Sequence, residues 1–304
     1  MKDPLVSVVI PNYNNQVGLE RCLNAVFKQT YSPGQTEVIV VDNDSDDQSV
    51  KISKKFPLRL LIRPEYRSPY WCRNAGIQQA KGEYLVLLDS NCVPSPDWLR
   101  AGVQALNNSG ASVVTGPVRF QFSLNPSFAE KIDYLYSVIR AEDIPHATGL
   151  PATHLFIRAP LFRDLGLFIP HIRSLGDIEW TNRAHQKGYT FGFAESAIVD
   201  YPAKNWKKAI EKMVRLGGGK KELWVAGGRS VYTLQWWGMI VKNLLPPSNS
   251  FFRDMQQRNL QEKTELPKLS LWLGLWGIKI CRAIGMISKR TIAFPARTPG
   301  RSSE

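Results

Sequence analysis

Three short apolar runs constrain what this chain can fold into. Leu5–Ile10, Glu37–Val41 and Tyr84–Leu88 are rich in aliphatic, mostly β-branched, side chains, and each stops abruptly at a polar turn. Continuous apolar runs of this length suit strands covered on both faces, where polar alternation is absent. Between them, apolar residues fall at helical spacing. Leu19, Cys22, Leu23, Val26 and Phe27 predict a helix over Val17–Gln29, and further helices are expected around Gln48–Lys55, Pro69–Ala80 and Pro96–Asn107. Strand and helix in alternation predict an α/β fold with a mainly parallel sheet and helices on both faces. Ligands of such sheets bind outside the carboxyl ends of the strands. That directs attention to three turns: Pro11-Asn12-Tyr13-Asn14-Asn15, the acidic Asp42-Asn43-Asp44-Ser45-Asp46-Asp47, and Asp89-Ser90-Asn91.

Each turn has a chemical reading and a plainer one. Asp89 and Asn91 offer oxygen ligands for a divalent cation bridging a diphosphate, since magnesium is typically held by one or two carboxylates plus substrate phosphates. The plainer reading is a surface turn, for which Asp, Ser and Asn are common. The Asp42–Asp47 turn suits recognition of a base and ribose, or is simply solvated. Arg73 suits a diphosphate, because a guanidinium matches phosphate oxygens; a solvated helix face is the alternative. Asp177 follows a glycine at a helix start, which suits a general base for a hydroxyl nucleophile or an N-terminal cap. Glu179 competes for the base role, and His154 reads locally as a packing residue.

Taken together, Val6–Asn14, Val40–Asp47, Arg73–Ile77 and Gly82–Asn91 resemble the family 2 glycosyltransferases with the GT-A fold, a Rossmann-like nucleotide-diphospho-sugar transferase architecture. The resemblance covers about Leu5–Pro202. It implies a UDP- or GDP-sugar donor, inversion at the anomeric carbon and a divalent cation, Mn2+ or Mg2+. It also implies nucleotide contacts from Pro11, Tyr13, Asp42, Arg73, Asp89 and Ser90, with Asp42 on the base. Metal ligation would fall to Asp89 and Asn91, and the catalytic base would be Asp177. The segment Thr153–Arg158 would line the acceptor side, with His154, Glu179 and Trp180. Two positions depart from the family pattern: Asn91 stands where a second acidic ligand is usual, and Gly176 where a glutamate precedes the base. The Gln-x-x-Arg-Trp motif of processive synthases is missing, which favours single addition over polymerisation.

Charge separates the last third from the rest. The net charge of +13 (39 basic, 26 acidic residues) is concentrated between Lys204 and Arg301 and implies an anionic partner. Residues 1–203 are expected to form the catalytic domain, 204–294 a basic amphipathic helical region, and 295–304 a disordered tail. Asn205–Leu216 reads as a basic helix, Gly217-Gly218-Gly219 as a hinge. Val231–Leu245 is shorter than the about 20 residues that span a bilayer. Leu269–Ile287 is long enough but carries Lys279 and Arg282, each costing roughly 2.5–3.5 kcal/mol at a helix centre. Six tryptophans between Trp206 and Trp276, interspersed with cations, suit helices lying in a membrane interface. The expected location is the cytoplasmic face of the membrane, peripheral or monotopic, with a glycan or lipid-linked acceptor. No signal peptide is expected, and four scattered cysteines argue against a zinc site and for a reducing compartment. The leading reading is a transferase building cell-surface polysaccharide or glycolipid; the alternative is a catalytically weak sugar-nucleotide-binding partner subunit. No G-x-G-x-x-G follows the first strand, against a nicotinamide enzyme, and no nucleic-acid-binding motif is present, so nucleic acid is not an expected partner.

Overall fold

The computed structural model describes residues 3–248 and 266–288. Part of the charged connector before Lys268 and the tail from Pro295 therefore lie outside the described residues. The chain forms two compact units: Met1–Arg119 with Ile139–Tyr201, and Phe120–Val138 with Pro202–Ile292.

In the first unit the apolar runs become β1 (Val6–Asn12), β2 (Thr36–Asp42) and β4 (Tyr84–Leu88). Together with β3 (Arg59–Ile62), β6 (Val113–Thr115), β8 (His154–Arg158) and β9 (Phe191–Phe193) they make a seven-stranded sheet of order β3-β2-β1-β4-β8-β6-β9. The strands β3, β2, β1 and β4 are mutually parallel. Strand β8 runs antiparallel to β4, pairing Leu88 with His154, so β8 begins where β4 ends. The order reverses direction between β1 and β4, and such switch points open a crevice at the carboxyl edge. A smaller sheet has the order β5-β10-β7, with β5 Val93–Pro94, β7 Val118–Gln121 and β10 Val199–Pro202.

Helices cover the sheet: α1 (Gln16–Val26), α2 (Ser49–Ser53), α3 (Pro69–Gln79), α4 (Trp98–Ser109), with α6 (Pro160–Leu165) and α7 (Gly176–Gln186) later in the chain. α3 starts cleanly because Ser68 caps it, accepting from the N–H groups of Tyr70 and Trp71, and Pro69 fills the first helical position. Gly76 then lets α3 lie close on the sheet: a Cβ there would sit 2.4 Å from Val9 Cγ1. This close seat fixes Tyr70 and Arg73 relative to the strand ends.

The second unit is helical. It contains α5 (Phe128–Ser137), α8 (Trp206–Ala226), α9 (Leu234–Leu244) and α10 (Lys268–Ile287). The expected hinge at Gly217–Gly219 is absent; α8 runs through it unbroken. The glycines serve close packing instead. A Cβ on Gly217 would lie 2.0 Å from the Arg282 carbonyl oxygen, and one on Gly285 would lie 2.0 Å from that of Val214. Only side-chain-free backbone allows α8 and α10 to approach this far. Ile132 and Leu135 of α5 bury against Leu271 and Leu275 of α10, which explains why Phe120–Val138 belongs to this unit. By length and composition α10 is apolar enough to cross a membrane, at 20 residues and a mean hydropathy of 1.3, and a third of its apolar window is buried within the protein.

Candidate active site

At the carboxyl edge, the first two turns are zipped together. Asn14 N–H donates to Ser45 Oγ (2.9 Å), Asp46 N–H to Asn14 Oδ1 (2.9 Å) and Gln16 N–H to Asp47 Oδ2 (2.9 Å). Asp42 lies within this join. Its carboxylate accepts from Asn12 Nδ2 (2.9 Å), Ser45 N–H (2.8 Å) and Ser45 Oγ (2.8 Å), and it is fully buried. Asp42, expected to contact a base, has its carboxylate turned into this join, where it shapes the turn from beneath. Pro11 is likewise buried. What the edge exposes is Tyr13, with the Arg67 guanidinium 5.1 Å above its ring. Asn43 sets this up by donating to the carbonyls of Arg63 (2.5 Å) and Tyr66 (2.7 Å), which anchors the loop before Arg67. The sequence reading passed over Arg67, because nothing local marks it.

The third turn joins a second network. Arg73, almost fully buried, donates through Nη2 to Asp89 Oδ1 (2.6 Å) and to the Ala152 carbonyl (3.2 Å). Ala152 N–H donates in turn to Asp177 Oδ2 (2.8 Å). Tyr70 closes the ring, donating its hydroxyl to Asp177 Oδ1 (2.9 Å) while the Arg73 guanidinium stands 5.4 Å from its ring centre. Thus α3, the end of β4, the start of β8 and the first turn of α7 converge on one constellation. Burial works against the Arg73 charge, yet Asp89, Tyr70 and Asp177 outweigh it and raise its pKa. Burial, then the Asp177 charge, pushes the Tyr70 phenol well up, so it stays a donor. Tyr70 was missed in the sequence, 107 positions from Asp177. It also accounts for Gly176: a Cβ there would lie 2.9 Å from Tyr70 Cε2, so the ring occupies that space. Leu175 adopts a left-handed conformation (φ 66°) to start α7, a costly choice for a leucine that clusters at functional sites.

Two buried polar atoms at this edge lack a partner, Asn12 Oδ1 and Arg73 Nε. Native structures pair nearly all such atoms, so orphans call for an explanation. Ser90 is buried and accepts from Asn15 Nδ2 (3.0 Å), while Asp89 and Asn91 are partly exposed. As a metal site, this is one carboxylate and one amide. Among the described residues no group of three His, Cys, Asp or Glu side chains is placed to hold an ion. The pair fits a hard cation that brings most of its oxygen ligands with a diphosphate.

The residues expected on the acceptor side sit as follows in the structure. His154 is fully buried; its Nδ1 accepts from Trp98 Nε1 (3.2 Å) and its Nε2 donates to the Gly116 carbonyl (3.0 Å). Burial pushes its pKa down to about 4, so it is neutral near pH 7. Trp180 is fully buried and stacked on Phe162 at 4.5 Å. Within Thr153–Arg158, β8 runs through the sheet interior between β4 and β6, leaving only its first residues at the edge. Glu179 pairs with Arg183 one turn along α7 (2.7 Å), which separates it from Asp177.

Comparison with known proteins gives the family. The chain is 32% identical to glycosyltransferase AglE of Haloferax volcanii, over 94% of this chain and 96% of that protein. It is 33% identical to glycosyltransferase GlyG of Streptococcus pneumoniae, over 37% and 38% of the two chains. Among solved structures, the mannosyltransferase PcManGT from Pyrobaculum calidifontis, in complex with GDP-Man and Mn2+, superposes with a TM-score of 0.63 at 17% identity, covering 94% of this chain and 88% of that one. TarS 1–349 of S. aureus in complex with UDP-GlcNAc gives 0.53 at 17% identity, covering 92% and 89%. These structures share the GT-A fold. With residues 7–166 matching the family model described as Glycosyl transferase family 2, this chain belongs to glycosyl transferase family 2 and is a glycosyltransferase.

Proposed function

We propose that the chain transfers one sugar, with inversion, from a nucleoside-diphosphate donor to an acceptor hydroxyl in the synthesis of a surface polysaccharide or glycolipid. The observation that carries the reading is the closed network of Asp177, Tyr70, Arg73 and Asp89 at the sheet's switch point. A carboxylate has about four acceptor sites. Asp177 uses three, for Tyr70, Ala152 N–H and Ile178 N–H, and keeps one for a substrate proton. In the step, the acceptor hydroxyl gives its proton to Asp177. Its oxygen forms a bond to the anomeric carbon, and the bond from that carbon to the diphosphate oxygen breaks with its electron pair. Attack opposite the leaving group inverts the centre.

Arg73 lies just beneath this edge beside Asp89, where its charge favours a diphosphate. Tyr13 and Arg67 offer a ring and a planar cation on which a base can stack. Asp89 and Asn91 would hold a divalent cation, which would neutralise charge on the departing diphosphate. A donor carrying UDP or GDP agrees with the ligands named for TarS and PcManGT. The second unit exposes Trp206, Trp237, Leu269 and Leu273 among cations, which supports peripheral or monotopic attachment at the cytoplasmic membrane face and a lipid-linked or glycan acceptor.

The deciding experiment measures nucleoside diphosphate release from UDP- and GDP-sugars with and without acceptor. Release is expected to fall by about a thousandfold in Asp177→Asn with donor binding retained. Donor binding without turnover across acceptors in the wild-type chain would overturn the reading in favour of a binding subunit.

A further inference from the structure

Four cations lie on three helices of the second unit that pack against one another. Lys220 lies on α8, Lys242 on α9, and Lys279 and Arg282 on α10. A shared apolar cluster of Trp224, Trp236, Ile240, Ala283 and Met286 holds these three helices together; Asn243 Nδ2 beside Met286 Sδ (3.9 Å) brings the Lys242 end of α9 to α10, and the close seat of Gly217 on the Arg282 carbonyl brings α8 there. Arg282 donates to Tyr136 Oη (2.6 Å), and Lys279 to the Leu245 carbonyl (2.6 Å). None of the four is ion-paired with Asp or Glu among the described residues. Lys220 is partly buried. Burying an ammonium against like charge, with no counter-ion, costs stability unless an anion completes the group. Consistent with that, burial first, then Arg282 and Lys242, lower the Lys220 pKa.

The surroundings say which anion. Val241, Leu244 and Leu245 flank Lys242 with exposed apolar surface, and Ile284 and Ile287 do so beyond Arg282. A soluble phosphate has no use for such surface, whereas a lipid presents an anionic phosphate at the base of its acyl chains. We infer that Lys220, Lys242, Lys279 and Arg282 form a binding site for the phosphate of a membrane lipid, with the adjoining apolar side chains of α9 and α10 against its acyl chains. The inference rests on the membrane attachment proposed above and makes it specific: a built headgroup site in place of diffuse attraction of positive charge.

Flotation of the full chain tests it, with vesicles of phosphatidylcholine alone and of phosphatidylcholine with phosphatidylglycerol. Lys220→Gln/Lys242→Gln is expected to lose about tenfold more binding to the anionic vesicles than Lys207→Gln/Lys208→Gln, which removes the same charge from the exposed start of α8. Equal losses in the two double variants overturn the site and leave membrane attachment standing. No flotation of the wild-type chain with either vesicle overturns both. Thermal protection by glycerol 3-phosphate that disappears in Lys220→Gln/Lys242→Gln would in that case assign the cluster to a soluble phosphate ester. Lys242→Gln alone, at an exposed position, carries the same comparison against Lys208→Gln should the double variant fail to fold.

Discussion

Asp177 is held by three donors from three places in the chain, and only one of them is a side chain that mutation can remove cleanly. Tyr70→Phe deletes the hydroxyl and keeps the ring that fills the space beside Gly176. Stability should change by about 1 kcal/mol, the net worth of one hydrogen bond. Turnover should fall about ten- to hundredfold, because a base that swings off its geometry loses proximity. Donor KM should stay within about twofold, and a matching rise in donor KM would show that Tyr70 serves binding. His154 makes a separate prediction. It is neutral when folded, with a pKa near 4, against an unfolded value near 6.5. Above 6.5 both states are neutral and nothing is lost. As pH falls from 6.5 to 4 the unfolded state takes the proton first, so stability drops by up to about 1.4 kcal/mol per unit. Denaturant titrations across that range should show the slope, and His154→Gln should lack it. Sequence named Asp42, Arg73, Asp89 and Asp177 because their residue types suit the chemistry. It could not tell which way a strand-ending carboxylate turns: Asp42 points into its own turn and Asp89 toward Arg73.

At the scale of elements, the apolar runs found β1, β2 and β4 and periodicity the helices between them, since burial on both faces leaves a continuous apolar signature in a strand. Gly217–Gly219 was misread because composition alone cannot distinguish a glycine that frees the backbone from one that admits a neighbour. The partner is α10, more than sixty positions on, and no local pattern carries that distance. The two roles predict opposite mutants. Gly217→Ala forces a methyl toward the Arg282 carbonyl and should cost about 1–3 kcal/mol. Gly238→Ala in α9 meets nothing within 4 Å and should be neutral or stabilise by up to about 1 kcal/mol. Thermal unfolding of the two variants side by side checks this; a neutral Gly217→Ala would mean the helix contact is looser than drawn.

For the whole molecule, the sequence told the neutral site-bearing part from the cationic remainder by charge, and the sheet topology explains why the acidic turns gather: parallel strands β1, β2 and β4 end at one edge. What sequence left open was how a site with Asn91 in place of a second carboxylate manages a cation. Geometry makes this a question of linkage. A ligand that binds only the folded chain stabilises it by about 2.7 kcal/mol at a hundredfold excess over its Kd. With one carboxylate and one amide at the end of β4, Mn2+ alone has few ligands and should shift the unfolding midpoint little. A nucleoside diphosphate alone meets Arg73 and should shift it measurably. The two together should exceed the sum, because the diphosphate supplies oxygen ligands to the cation and the cation offsets the diphosphate's charge. Asp89→Asn removes the charge partner of buried Arg73 while its bond to the Ala152 carbonyl remains, so the variant should start about 1–3 kcal/mol less stable. The informative quantity is therefore the increment that Mn2+ adds over diphosphate within each protein. That increment should vanish in Asp89→Asn while the diphosphate effect alone persists. A large shift from Mn2+ alone would instead mean that the chain holds the ion with ligands of its own, and an unchanged increment in Asp89→Asn would remove Asp89 from the metal site.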